Sequence, residues 1–320
     1  MNEPTDLFES PSPQPTQKTN LTKQRLSKAS AAILAEPPER LGYLHSVLCQ
    51  CGLPYRAPDP DVRVWERING DSHLKVMAGE VMDPKTHRLV EVPLPFGPKA
   101  RLILYHLNSE AVRTQSAVIN VGKSLTDFVR RLLNADPNGR EIAAFKSQLT
   151  ALAAASIRLG MVKGNHAVTY NTQIVTALDL WFHKDDRQRV LWDSTVVLGH
   201  DYFISLVDHA VPLDERAIVA LAHSALALDI YSWLVQRLHR IGRNVSQEVS
   251  WSVLHEQFGQ GYAEIHKFRS KFLTALTAVR TQYRAANIEP TERGLVLRNS
   301  PPPIAKRSSL VHKPAPAPEP

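Results

Sequence analysis

Several short motifs in this chain have residue types that do chemistry, and spacing tests each one. Gly122-Lys123-Ser124 has the ending of a phosphate-binding loop, but that loop needs a glycine five positions before Gly122, where Ala117 stands. Ser124 precedes an apolar run and Asp127 follows three residues on, which suits a helix N-cap better. Gly259-Gln260-Gly261 lacks the third glycine of a dinucleotide loop, because Glu264 occupies its place. Cys49 and Cys51 are the only cysteines; a structural zinc needs four ligands, and His45 alone does not complete a set. Reduced thiols of a cytosolic protein are expected instead. His255-Glu256 begins like a metalloprotease motif, but Gly259 stands where the second histidine is required. Tyr231 and Tyr283 would serve as DNA-nicking nucleophiles only beside a metal held by closely spaced histidines, and the 13 histidines include no such pair. Tyr231 lies in an apolar stretch and reads as core. No catalytic residue, metal ligand or cofactor site is expected.

The segment with the clearest binding chemistry is Tyr262 to Tyr283. Ile265, Phe268, Phe272, Leu276, Val279 and Tyr283 recur at helical spacing and form a docking stripe. The opposite face carries Lys267, Ser270, Lys271, Thr274, Thr277 and Thr281, with Arg269 and Arg280 on the shoulder. An apolar stripe backing a cationic, hydroxyl-rich stripe is what a helix entering the major groove of DNA needs. Lysine and arginine neutralise phosphates, and serine and threonine hydroxyls reach phosphates or base edges. A guanidinium bonds guanine bidentately, so Arg269 is the first candidate for base readout; Lys267 and Lys271 suit phosphates. The alternative is that any surface helix carries such a face.

The elements that must position this helix form two similar blocks. In the first, a helix over Lys99–Ser109 precedes the Ser124-capped helix Leu125–Leu133. A third helix runs from about Arg140 to Ala155, and Ile157–Val162 and Val168–Phe182 flank Lys163-Gly164-Asn165-His166 as a hairpin. In the second, Asp214 caps a long apolar helix to about Ile241, and Ser250 opens a short helix, Trp251–Phe258. The helix over 262–283 follows, then a strand–turn–strand over Asn287–Asn299. Three helices followed by a hairpin is the order of a winged helix. Earlier in the chain, Leu21–Ala35 reads as a short helix, and Leu74–Met82 with Arg88–Pro95 as a hairpin around Asp83-Pro84-Lys85-Thr86. The expected fold class is α+β, mainly helical, with two tandem winged-helix domains. The expected boundaries are a disordered tail over 1–18, a helical N-terminal arm over 19–60 and a first winged-helix domain with a leading hairpin over 61–183. A second winged-helix domain, the main DNA-binding one, covers 184–303, and a proline-rich disordered tail covers 304–320.

The chain has 320 residues with 38 Lys plus Arg against 31 Asp plus Glu, a net charge of +7. Spread evenly, that charge would say little about partners. Residues 1–40 hold five basic and five acidic residues, residues 261–300 seven against three, and residues 301–320 three against one. The charge therefore sits in the last 60 residues. Prolines are polarised too: four of the 23 lie in residues 1–20 and seven in 301–320, and such ends cannot bury enough apolar area to order themselves. No apolar run approaches the ~20 residues of a membrane span, and the start has no secretory signal, so a cytoplasmic protein with no membrane partner is expected.

Eight longer words, in order, resemble the plasmid-encoded RepA family of replication initiators. They are LPYR (53–56), WERING (65–70), PLPFGPKARLIL (93–104), SEAVRTQS (109–116), GKSLTDFVRRL (122–132), SALALDIYSWLVQRL (224–238), SWSVLHEQFG (250–259) and SPPP (300–303). The resemblance covers about residues 45 to 303. It implies a non-enzymatic bacterial initiator that binds repeated sites in double-stranded origin DNA and helps open the duplex. It also implies contact with host replication proteins, a helicase or the chromosomal initiator, and a homodimer, for which Ile103 and Leu107 or the hairpin over 74–95 offer surfaces. The remaining alternative is an operator-binding transcriptional regulator, which would use the same blocks.

Secondary candidates for DNA contact follow from the same chemistry. Arg284 and Arg298 flank the second hairpin, although Glu289 and Glu292 at its tip would repel phosphate, as they would beside Arg293. In the first block the third helix presents Ala143, Ser147, Thr150, Ala151 and Ala154, with Arg140 at its start and Lys146 and Gln148 on the shoulders. That small-residue face suits close approach to DNA and helix packing equally. Lys163 and His166 at the hairpin tip suit a phosphate contact or a solvated turn.

Overall fold

The computed structural model describes residues 17–83, 86–179 and 194–304. The tails read at 1–18 and 304–320 fall outside them apart from Gln17, Lys18 and Ile304.

The chain opens with α1 (Gln17–Ala35), longer than the expected helix and stopped before Pro37-Pro38. β1 (Leu41–His45) and α2 (Ser46–Gln50) follow, then β2 (Val64–Asn69), β3 (Ser72–Met77), β4 (Glu80–Asp83) and β5 (Arg88–Glu91). The expected hairpin over 74–95 is therefore split. β4 and β5 pair across the predicted turn, but Leu74–Met77 belongs to β3 in another sheet. The break is at Ala78-Gly79, where a Cβ on Gly79 would lie 2.0 Å from the Ala154 carbonyl oxygen.

The first block is α3 (Gly97–Thr114), β6 (Val118–Gly122), α4 (Leu125–Leu133), α5 (Gly139–Ala154), β7 (Ser156–Lys163), β8 (His166–Gln173), β9 (Val175–Asp179) and β10 (Ser194–Leu198). Ser124 caps α4 by accepting from Asp127 N–H at 3.1 Å, and Asn138 and Glu141 close a capping box on α5. α6 (His200–His209) and β11 (Ala210–Asp214) connect to the second block. That block is α7 (Glu215–Leu221), α8 (Ala225–Leu238), β12 (Ser246–Ser250), α9 (Trp251–Phe258), α10 (Ile265–Gln282), β13 (Ile288–Pro290) and β14 (Gly294–Arg298).

Asp214 does cap a helix, but the expected single helix to Ile241 is two. The chain breaks over Ala222-His223-Ser224, and Ser224 caps α8 by accepting from Ala227 N–H at 3.2 Å. A serine hydroxyl that satisfies a free N–H makes such a break inexpensive inside an apolar run.

The two blocks repeat one plan more closely than their sequences show. α3–β6–α4–α5–β9–β10 builds an antiparallel sheet of order β6-β10-β9. α8–β12–α9–α10–β13–β14 builds one of order β12-β14-β13. In the first block the closing strands are β9 and β10, joined through residues 180–193 outside the described set. The hairpin expected to close that block, β7–β8, instead completes a four-stranded sheet of order β2-β3-β7-β8, whose inner face buries Trp65, Leu74, Val76, Ile157 and Leu159.

One apolar cluster runs through both blocks, and β1 pairs antiparallel with β11 from Leu41–Asp214 to His45–Ala210. Ile103 and Leu107 are fully buried in it, so they offer no surface to a second copy. Tyr231 is core, as expected, and its hydroxyl accepts from Asp214 N–H at 3.1 Å. The whole is a mixed α and β protein. Among the described residues no helix is long and apolar enough to cross a membrane.

Candidate nucleic-acid interface

α10 has the two-faced character its sequence predicts. Phe268, Phe272, Leu276 and Val279 are buried, as is Tyr283 just beyond its end, whereas Ile265 at its start is exposed. Phe268, Phe272, Phe258 and Trp233 form a run of tilted and edge-on aromatic contacts beneath the helix. That stack fixes the rotation of α10, so its polar stripe must face out.

Lys267, Ser270, Lys271, Thr274, Thr277, Arg280 and Thr281 are exposed on α10, and Arg284 just beyond it. Lys271, Arg280 and Arg284 have no ion pair among the described residues. Lys267 is paired with Glu264 at 2.6 Å. Thr274 and Thr277 donate their hydroxyl protons to the carbonyls of Ser270 and Leu273, both at 2.9 Å, and Thr281 donates to that of Ala278 at 2.7 Å. The Thr274 and Thr277 oxygens can still accept, and that of Thr281 accepts from Gln282 Nε2 at 2.9 Å.

Arg269 is placed differently from its expectation. Its guanidinium lies 5.0 Å from the Trp251 ring centroid and donates to the Thr291 carbonyl at 3.3 Å. It ties α10 to the β13–β14 turn, with less freedom to enter a groove than its neighbours. Arg298 is paired with Glu289 at 2.9 Å. Arg293 is exposed at the turn with no ion pair among the described residues.

α5 holds the place in the first block that α10 holds in the second, but only its first half is open. Arg140, Ala143, Lys146 and Ser147 are exposed, and Arg140 and Lys146 have no ion pair among the described residues. Ala151, expected on the outer face, is buried, and so is Gln148, expected on its shoulder. Gln148 accepts from Phe96 N–H at 2.7 Å, and the Gly79 backbone lies on the Ala154 carbonyl. Small residues in the last turns of α5 thus serve packing. Lys163 ends β7 opposite His166, in the four-stranded sheet and not in the first block's own three-stranded sheet.

Exposed Arg240 and Arg243 lie between α8 and β12, and Ser246 at the start of β12 pairs with Arg298. The sequence reading passed over them, although the cationic run from Arg237 to Arg243 is visible in it.

Among the described residues no group of three or more His, Cys, Asp or Glu is arranged to hold a metal. Cys49 and Cys51 are buried and unbridged; burial raises both thiols, Cys51 to about 12, so neither is a ready nucleophile.

Two topologically repeated blocks, one with a cationic helix whose own residues include no acid, define a mixed α and β protein. Residues 94–253 match the family model described as plasmid-encoded RepA protein. That span is half of the 320 residues, and the chain belongs to this family. Two solved structures of domains 2 and 3 of RctB are similar at 10% identity. One has a TM-score of 0.48, over 77% of this chain and 86% of that one; the other 0.44, over 78% and 94%. At those values the likeness carries no argument about this chain. No curated protein matches it.

Proposed function

We propose that this protein is a plasmid replication initiator that binds repeated sites in double-stranded origin DNA, without catalysis of its own. It then helps open the duplex and engage host replication proteins. The observation that carries this reading is the face of α10, where Lys271 and Arg280, continued by Arg284, are exposed with no ion pair among the described residues, beside a row of hydroxyls on a helix fixed by its aromatic backing. Membership of the plasmid-encoded RepA family supports the initiator role. In this reading each block is a winged helix. Helix, strand, helix, helix and two strands, with the first strand beside the last, is the support for both. α10 enters the major groove and β13–β14 is its wing.

Footprinting on the origin of its own plasmid tests the proposal, with protection over directly repeated sites expected. An inverted-repeat target, with plasmid copy number unchanged by deletion of the gene, would instead mark an operator-binding regulator. Nicked circles accumulating on supercoiled origin DNA with a divalent metal would overturn the non-enzymatic reading. Lys271→Ala should weaken binding to all sequences alike and make the slope of log affinity against log salt shallower by about 0.9, the loss of one phosphate contact.

A further inference from the structure

The first 40 residues are neutral as a block, but their charges are segregated. Lys18, Lys23, Arg25 and Lys28 all lie in α1, which contains no acid; Glu3, Asp6 and Glu9 precede it, and Glu36 and Glu39 follow it. The fold lays this cationic helix against the second block. α1 packs on α7 and α10, with Leu26 and Ile33 against the core and Ser30 buried. On the α7 side, Arg216 Nη1 donates to the carbonyls of Ala32 and Glu36 at 2.9 and 3.1 Å. On the α10 side, Gln282 Nε2 donates to the Leu26 carbonyl and to Thr281 Oγ1, both at 2.9 Å. One amide thus joins the polar edge of α10 to the backbone of α1.

The rotation of α1 divides its cations. A helix turns about 100° per residue, so Arg25 and Lys28 swing to the α7 side of Leu26. There they line a groove of about 830 Å³ shared with α3, α4 and α7, and Arg25 Nη2 lies 3.1 Å from His223 Nδ1. By the same rotation Lys23 and Ser27 swing the other way, past Ser30, to the side of Leu26 away from that groove. Both are exposed, and Lys23 has no hydrogen bond or ion pair among the described residues. The neighbouring end of α10 exposes Thr277, Arg280 and Thr281, then Arg284.

We propose that α1 extends the DNA-facing surface of α10, with Lys23 and the adjacent Ser27 taking backbone phosphates beside the groove that α10 enters. The proposal rests on the reading of α10 as the DNA-facing helix. Contacts of this kind fix the register of a protein on the duplex and carry no base preference.

The test measures affinity of the full chain for origin and unrelated duplexes over a range of salt. Lys23→Ala should weaken both alike and make the salt slope shallower by about 0.9. The ratio of wild-type to variant affinity then shrinks about threefold between 50 and 200 mM salt. Lys23→Glu should lose more, and Arg25→Ala, on the other flank, should leave the slope unchanged. Lys23 is exposed and has no partner among the described residues, so thermal melts of its variants should match the wild type. Lys271→Ala separates the two layers of the argument. If it flattens the slope while both Lys23 variants leave it intact, the role of α1 is overturned and that of α10 stands. If Lys271→Ala also changes nothing, the DNA-facing reading of α10 fails and the proposal fails with it.

Discussion

Asp229→Asn is the substitution with the largest structural consequence. Arg101 on α3 and Asp229 on α8 are both buried and meet bidentately, Nε to Oδ1 at 2.6 Å and Nη2 to Oδ2 at 2.7 Å. The remaining guanidinium protons go to the carbonyls of Leu53 at 2.6 Å, Pro54 at 3.1 Å and Gly97 at 2.9 Å, so all five donors are used. Burial opposes the charge on Arg101, and Asp229 more than offsets it, leaving the guanidinium above its ordinary range. Gly52 makes room for the carboxylate, since a Cβ there would lie 2.1 Å from Asp229 Oδ2. An asparagine amide must turn an N–H toward one of those arginine donors and leaves a buried cation without its anion. Removing one partner of such a pair costs about 3–5 kcal/mol. That is a large share of a typical 5–15 kcal/mol stability and corresponds to a fall of roughly 1 M or more in the urea midpoint. Equilibrium urea unfolding of Asp229→Asn, Arg101→Met and the double variant Arg101→Met/Asp229→Leu measures it. The double variant should be less destabilised than the sum of the singles by at least ~2 kcal/mol. Additive losses, or a cost below ~1 kcal/mol for Asp229→Asn, would refute the view that this pair clasps the two blocks together.

Two further outcomes follow from single side chains. His45 is fully buried; its Nδ1 accepts from Val47 N–H at 3.1 Å, so the neutral ring carries its proton on Nε2 and donates to Ser205 Oγ at 2.9 Å. Burial first, and His209 second, lower it from 6.5 to about 3. The unfolded state therefore binds one more proton across that window, and this contribution is complete above pH 6.5 and lost as pH falls toward 3. Its slope is at most ~1.4 kcal/mol per pH unit, and urea titrations of His45→Gln should show a slope lower by one proton; equal slopes would remove His45 as the cause. Arg269→Ala should cost about 1 kcal/mol of stability through the lost Trp251 contact and Thr291 bond, and leave base preference unchanged. An unaltered melt with lost discrimination at one base position would restore Arg269 as a base-reading residue.

What was legible in the sequence was what local chemistry decides. Ser124 and Ser250 announce helix starts because each accepts from the N–H three residues on, an interaction contained within four residues. The stripe on α10 was legible because six apolar positions share one helical face. Pairing partners were not. Only the bend at Ile174 separates β8 from β9, yet β8 pairs with β7 beside β3, and β9 with β10 beside β6. Nothing within the strands distinguishes those destinations. β12 was missed because Ser246–Ser250 buries only Val249 and is held by its ladder to β14. The break between α7 and α8 was hidden by an apolar run, although Ser224 was its signal. On α10, residue types marked a cationic face but not which cations are spent: Arg269, Lys267 and Arg298 have partners within the protein, and among the described residues Lys271, Arg280 and Arg284 have no ion pair.

The repeated plan of the two blocks makes their difference informative. α5 and α10 occupy the same place in the same topology, so their relative grip on a polyanion depends on which residues each leaves open. α10 exposes Lys267, Lys271 and Arg280 along its whole length of about 27 Å, and α1 lies against its far end. α5 exposes Arg140 and Lys146 in its first half only, because Gly79 and Phe96 cover the rest. Counterion release scales with the number of phosphates neutralised, so the second block should set the affinity and most of the salt dependence. On the proposed reading the first block would contribute position along the duplex, through few contacts and through the Arg101–Asp229 clasp that joins it to the second. On this argument, loosening the clasp should disturb tandem-site binding more than binding to a single site.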